Sequence, residues 1–421
     1  MKKILPIIII AQFFCTSIWF AGNAIMPEIV KQFELNQQFL AHFISAVQLG
    51  FVIGTLSFGL LAIADRFSPS TVFFISALIA ALFNLAICIE GINSTSILFF
   101  RFFTGFFLAG IYPVGMKIAS DYFQKGLGNS LGFLVGALVL GTAFPHLLKN
   151  ITTQLPWKYV IFATSFLSVV GGLILFLFVP NGPYRKVSKS LNFGSFLIAF
   201  KNKQFQSAAF GYFGHMWELY AFWTFVPIIL LNYKNAYSLS TLNIPLLSFI
   251  IIGSGSIACI LAGNLSLKFH PKKIATILLL SSCICCLISP LILLNNSLPL
   301  FLFFLFFWGM TVVGDSPLFS TLVAQNVAEE FRGTSLTIIN CIGFAITLIS
   351  IQLINLLSNH INAQYIYMIL AIGPIVGLWR LINPFSIDKI SQLQPMELIA
   401  KIFFTQALPA IIALILILTV K

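Results

Sequence analysis

Four charged positions lie inside long apolar runs, where charge is costly. His215 and Glu218 stand three residues apart in GHMWELY, with Trp217 and Tyr220 beside them. A helix would put that histidine and carboxyl on one face. Asp315 sits in GDSP, between Gly314 and Pro317, and Arg101 opens RFFTGFFLAG. A carboxylate at mid-membrane depth costs at least ~2.5 kcal/mol, so it faces a cavity or a partner. There it can take up and release a proton, and a nearby imidazole can share it. A fixed guanidinium can draw in an anion or pair with a carboxylate. The chemistry on offer is proton exchange and charge selection: Glu218, His215, Asp315 and Arg101 are the candidates for proton coupling.

Each of these residues also has a plainer reading. The histidine and glutamate can be a buried pair that stabilises a helix interface. Arg101 can snorkel to nearby headgroups, and Lys117, nearer the other end of the same run, does so more easily. Trp19, Asn23, Gln48, Tyr112, Trp217, Tyr220, Ser316 and Asn340 are candidates to line a solute path, with His146 and Trp308 weaker. Lone aromatics more often pack, and lone amides often bond across helices.

The elements that must position these residues follow from composition. The chain has 421 residues, 59% hydrophobic and 8% charged, with a mean hydropathy of +1.01. A soluble domain needs roughly a quarter of its residues charged, so the fold class is an all-α membrane protein. About 20 apolar residues span a bilayer core. Twelve such segments lie near 5–27, 39–63, 70–90, 96–119, 128–148, 157–180, 207–231, 244–267, 273–294, 298–323, 335–357 and 363–384. A thirteenth apolar run, 402–420, is interrupted by Pro409. The N-terminal MKKILPIIII continues without a small-x-small cleavage site, so it is expected to be an uncleaved first helix.

Charge sets the expected topology. With the N-terminus cytoplasmic, the outer loops hold only Lys31, Lys149, Lys158 and Lys234, and the remaining loop bases fall inside. This placement explains the net charge of +12 without nucleic acid as a partner. The basic stretch 181–206 has no acid and divides the segments six and six. It reads as a cytoplasmic linker able to rest on anionic lipid. The expected domains are 1–180, this linker, 207–384 and a C-terminal extension 385–421. Seven cysteines lie in apolar runs without zinc-ligand spacing. No metal, no cofactor and no disulfide framework are expected. No catalytic constellation and no phosphate-binding Gly-rich loop are present, so neither an enzyme nor an ATP-driven pump is expected.

The two halves repeat. Arg66-Phe67-Ser68-Pro69 returns as Lys268-Phe269-His270-Pro271, Gly110-Ile111-Tyr112-Pro113 as Gly314-Asp315-Ser316-Pro317, and GNSL at Gly128 as GTSL at Gly333. Two similar six-helix halves are an architecture that rocks around a central site.

With twelve segments, a basic central loop and Asp65-Arg66 between the second and third, the chain resembles the major facilitator superfamily. That family's loop signature reads approximately G-x-L-a-D-R-x-G-R-R. The first copy here keeps Asp65 and Arg66 but has Leu61 in place of the glycine. The second keeps Gly263 and Leu265 but has Leu267 in place of the acid. RFFTGFFLAG is similar to the family's R-x-x-x-G pattern, which is linked to proton coupling. The wider stretch 101–123, with LGFLVGALVLGTAFPHLL and GHMWELYAFW, looks like a bacterial branch near nitrate- and cyanate-type permeases. Gly141-x-x-x-Pro145 lacks the glycine pair of the antiporter signature, which disfavours drug antiport.

The resemblance implies secondary transport of a small solute, organic or inorganic anions included, driven by protons or another ion. It places the protein in the inner membrane, working as a monomer by alternating access. It implies that Asp65 and Arg66 form a gate, closed on the cytoplasmic side when the outside is open; the plainer reading is a charged turn at the membrane surface. Drug or metabolite efflux is the alternative within the class. A non-transporting sensor or scaffold on the same fold is the alternative outside it.

Overall fold

The computed structural model describes residues 4–36, 38–123, 127–185, 199–239, 241–328 and 331–383. The middle of the basic linker, the extension beyond residue 383 and the apolar run 402–420 therefore lie outside the described residues. Among those described, regular structure is entirely helical. Nine helices or helix pairs among the described residues are long and apolar enough to cross a membrane. The first ten helices in chain order are α1 (Ile4–Thr16), α2 (Ala21–Ala24), α3 (Met26–Gln32), α4 (Phe39–Leu60), α5 (Ile63–Arg66), α6 (Pro69–Ala86), α7 (Ser94–Leu108), α8 (Tyr112–Tyr122), α9 (Leu127–Ile151) and α10 (Lys158–Phe178). They are followed by α11 (Lys203–Ala236), α12 (Ile244–Leu265), α13 (Pro271–Leu293), α14 (Leu298–Gly314), α15 (Ser316–Gln325) and α16 (Arg332–Leu357). A 3₁₀ stretch (Ile366–Ala371) then leads into α17 (Ile372–Ile382). Large apolar side chains such as Phe166, Leu177, Leu291 and Phe303 point outward and exposed, as a hydrocarbon solvent allows.

Local sequence explains the helix starts. Asn93, Asn202 and Asn243 accept hydrogen bonds from the backbone N–H groups of Ser96, Gln204 and Leu246, capping α7, α11 and α12. Pro69 and Pro271 open α6 and α13, where a missing N–H does no harm. The residues before them share one backbone shape: Ser68 at φ −60°, ψ 124° and His270 at φ −61°, ψ 124°. Phe67 and Phe269 are both exposed. The repeated Phe-x-Pro is thus a repeated turn. The copies differ just upstream, where Ala62 takes a left-handed φ of 50°, unusual for any residue with a Cβ.

Three crossings are broken. The chain turns at Ala109–Ile111 between α7 and α8, and at Asp315 between α14 and α15, each followed by a proline at the second helical position. Proline lacks the N–H that its helix would use. The third break, Ser17–Phe20, has no proline. There the Thr16 hydroxyl donates to Gln12 O at 2.8 Å and the Ser17 hydroxyl to Phe14 O at 2.7 Å, competing with the backbone ladder.

The helices before residue 185 meet those after 199 mainly through α9 on α12 and α4 on α16. Glycine permits the first contact. A Cβ on Gly132 would lie 2.9 Å from Cys259 O and 3.2 Å from Gly263 Cα. Toward the opposite end of the same pair, the Asn243 side-chain amide donates to Asn150 Oδ1 at 2.7 Å, and Gln352 of α16 donates to Ser45 Oγ of α4 at 2.7 Å. Gly132→Val should overpack the α9–α12 seam and cost about 1–3 kcal/mol, read as a lower thermal midpoint of the purified protein. A wild-type midpoint would show that the seam is looser than the glycines imply.

Candidate functional site

The break in the first crossing sets the first part of the site. It leaves Ile18 O and Trp19 O without helical donors, and the buried Arg101 of α7 meets both, at 3.2 and 2.5 Å. A third bond runs from the same guanidinium to Asn84 Oδ1 at 3.1 Å, and the Asn84 amide donates onward to Ser165 Oγ at 2.8 Å. Phe43 presents its ring face 4.8 Å away. Arg101 therefore joins five crossings and does not snorkel. Its described partners are all neutral, and its Nε has none. The expected pairing with a carboxylate is not what holds it; it stands as a positive charge at the C-terminal, electronegative end of α1.

His215 and Glu218 share α11 but not partners. Glu218 accepts from Trp308 Nε1 at 2.6 Å, Ser282 Oγ at 2.9 Å and Cys286 Sγ at 3.3 Å, so α13 and α14 hold it. His215 Nδ1 lies 2.8 Å from Asp315 Oδ1, at the break between α14 and α15. Both side chains are buried, and neither His215 Nε2 nor Asp315 Oδ2 has a hydrogen-bond partner among the described residues. Pro317 cannot donate to Val313 O, and the Cys259 thiol reaches that carbonyl at 3.3 Å.

Between these charges lies an aromatic cluster. Trp19 and Phe51 meet Phe344 of α16 at 5.7 and 4.3 Å, and Tyr220 of α11 packs on Trp19, Phe344 and Trp223. Asn23 crosses the same seam, donating to Thr224 O at 3.2 Å. Gln48 is buried three residues before Phe51, its amide unpartnered. Tyr112 is buried at the start of α8 and Ser316 at the start of α15. Asn340 is buried on α16. Trp217 leaves the expected path: it faces the 3₁₀ stretch and donates to Ile369 O at 3.1 Å.

The charged turn has a different partner from the one expected. Asp65 pairs with Lys117 of α8 at 2.9 Å, while the adjacent Arg66 is exposed. Lys117 in turn approaches Asp121 at 3.8 Å. Arg185 donates to the carbonyls of Asp65 and Phe67 at 2.9 and 2.8 Å. The Tyr122 hydroxyl donates to Pro180 O at 2.6 Å, so the exit of α10 is strapped across this corner. Phe51, Trp223, Phe344, Ser282, Cys286 and Arg185 carry no distinguishing pattern in the sequence, because their roles arise from helices distant in the chain. Lys117 and Trp308 were visible but ranked low.

The chain matches the Major Facilitator Superfamily over residues 8–351. It is 27% identical over 186 residues to an uncharacterized transporter of Buchnera aphidicola subsp. Schizaphis graminum, covering 44% of each chain. It is 33% identical over 132 residues to the niacin transporter NiaP of Acinetobacter baylyi, covering 29% of each. The matches thus span less than half the length of these curated relatives. In fold, the chain is similar to the proton:xylose symporter XylE bound to 6-bromo-6-deoxy-D-glucose, with a TM-score of 0.73 at 12% identity over 91% of this chain and 95% of that one. It is also similar to the human organic anion transporter MFSD10 (TETRAN), with a TM-score of 0.69 at 11% identity over 90% and 99%.

Because Lys117 is the partner of Asp65, Lys117→Met should reproduce the effect of Asp65→Asn, and Arg66→Ala and Leu267→Asn should do little. The expected change in the balance between inward- and outward-open forms is roughly fivefold, as for a part-exposed ion pair worth about 1 kcal/mol. Cysteine accessibility from each side of the membrane measures it. A larger effect from Arg66→Ala would restore the adjacent pair as the gate.

Proposed function

The chain belongs to the Major Facilitator Superfamily, and from that premise we propose that this multi-pass membrane transporter moves a small organic anion together with protons, by rocking two six-helix halves. Twelve crossings result when three further ones join the nine long apolar helices: the broken α1–α3, the more polar α11, and the last crossing that ends in α17. The halves are 1–180 and 207–384, with 181–206 as a cytoplasmic linker that can touch anionic lipid and the N-terminus on the same side of the inner membrane. Outer Lys149 and Lys158 support this sidedness, each satisfied locally, by Glu28 and by Glu90. The protein works as a monomer in this reading.

The buried His215–Asp315 pair is the observation that carries proton coupling. It stands at the break of the tenth crossing, where backbone can move, and each partner keeps one atom free of hydrogen bonds. Loss of a proton from the pair leaves a net charge in a low-dielectric setting, which favours a different arrangement of α14 and α15. Glu218 is the less mobile acid, because three donors from two helices fix it. Arg101 gives the anion preference, as a buried cation with neutral partners only among those described. Among the structural relatives, one is a proton symporter and another an organic anion transporter, in keeping with both halves of the reading.

In proteoliposomes, Asp315→Asn and His215→Gln should abolish accumulation driven by a pH gradient and leave substrate counterflow in place. Glu218→Gln should keep gradient-driven accumulation and lower the thermal midpoint. Gradient-driven accumulation at the wild-type level in Asp315→Asn would end the assignment of coupling to this pair.

A further inference from the structure

The six tryptophans separate into two kinds. Away from the central seam, Trp157, Trp217 and Trp308 are buried and each indole N–H has a partner: Gln32 Oε1, Ile369 O and Glu218 Oε1. Trp379 is exposed. Trp19 and Trp223 are fully buried, and neither indole N–H has a hydrogen-bond partner among the described residues. Buried indoles and phenols ordinarily find one. The Tyr220 hydroxyl, between these two rings, is unpartnered as well, and so is the Gln48 amide. Four of the side chains with orphaned polar atoms thus belong to, or stand beside, one group of rings that straddles the seam.

Donors outnumber acceptors there: two indole N–H groups, the phenol and Gln48 Nε2 stand against Gln48 Oε1 and Asn23 Oδ1. The described contacts of these rings include no carboxylate, and the carbonyl of Trp19 is already held by the Arg101 guanidinium at 2.5 Å. Such a set suits a ligand that brings acceptors and negative charge. The walls are ring faces: Phe344 lies nearly parallel to Trp19, at 23°, and 4.3 Å from Phe51. These contacts run between the two halves, so rocking must separate them. A flat conjugated ligand entering there would restore ring–ring contact to both sides; a puckered one would not.

We propose that this aromatic cluster is the substrate site and that its substrate is a flat, conjugated carboxylate. The inference rests on the anion-transport reading and narrows it. Isothermal titration of the purified protein with benzoate, cyclohexanecarboxylate and benzamide tests it. Benzoate should bind roughly tenfold more tightly than cyclohexanecarboxylate, the factor that about 1.4 kcal/mol of ring–ring attraction supplies, and benzamide should bind more weakly than benzoate. Phe344→Leu should bring the ratio of the two carboxylates close to one. Tyr220→Phe, which keeps the ring, should weaken both carboxylates alike. Equal binding of the carboxylates to the wild type, or an unchanged ratio in Phe344→Leu, overturns the ring preference and leaves anion transport standing. If neither carboxylate binds to wild-type protein that still unfolds cooperatively, the anion reading falls with it.

Discussion

Backbone carbonyls released inside a bilayer must be met by donors, because no water is there to meet them. The centre of this protein is arranged around that constraint. Its first crossing breaks without proline, at a run of hydroxyl side chains that pull on their own preceding turn. The two carbonyls so released take a buried arginine as donor. The tenth crossing breaks at a proline, and the carbonyl it releases takes a thiol. These two breaks are therefore coupled to side chains on other helices. Moving either break means moving its partner helix, or losing a hydrogen bond in hydrocarbon, where the loss amounts to several kcal/mol.

This coupling gives the two ends of the chain different electrostatic characters. Around the seam, the first half contributes the buried Arg101 guanidinium. The second contributes the buried carboxyls of Glu218 and Asp315 and the imidazole of His215, groups of a kind that can exchange protons. In the proposed anion–proton transport, a cation on one side of the seam and titratable groups on the other would divide the labour, one side attracting and the other switching. The aromatic cluster lies between them, so any solute seated there would feel both.

Much of the frame was legible in the sequence. Hydropathy placed the nine long apolar helices among the described residues within a few residues, and the paired Phe-x-Pro turns fold with the same backbone angles, as their repetition implied. The breaks at Tyr112-Pro113 and Ser316-Pro317 each fall beside a proline, but Pro145, Pro227 and Pro290 lie inside unbroken helices, so proline alone does not place them. What could not be read were pairings across distant helices. His215 and Glu218 share a helical face by spacing, but a 60° difference around α11 is enough to send one to α15 and the other to α13 and α14. Asp65 and Arg66 are adjacent in sequence, yet the exposed arginine is free to remain in water while Lys117, on the neighbouring helix, is held facing the acid. Trp217 is indistinguishable from Trp223 by composition; only the fold gives one a carbonyl partner and leaves the other none.

The repeat itself sharpens the last point. Backbone features recur in both halves: the proline starts, the exposed phenylalanines, the breaks two residues ahead of a proline. The side chains at those recurring positions do not. Where the first half has Asp65 the second has Leu267, and where the second has Asp315 the first has Ile111. A rocking mechanism needs the common backbone, since both halves must present matching surfaces at the seam. It does not need matching charges. If the latch at Asp65 and the proton pair at Asp315 were duplicated, each half would hold and switch at once, and closing one end would oppose opening the other. Under the proposed mechanism, one latch and one switch on opposite halves would let a single proton event at Asp315 change the balance at the seam while the corner at Asp65, Lys117 and Arg185 holds its own half together.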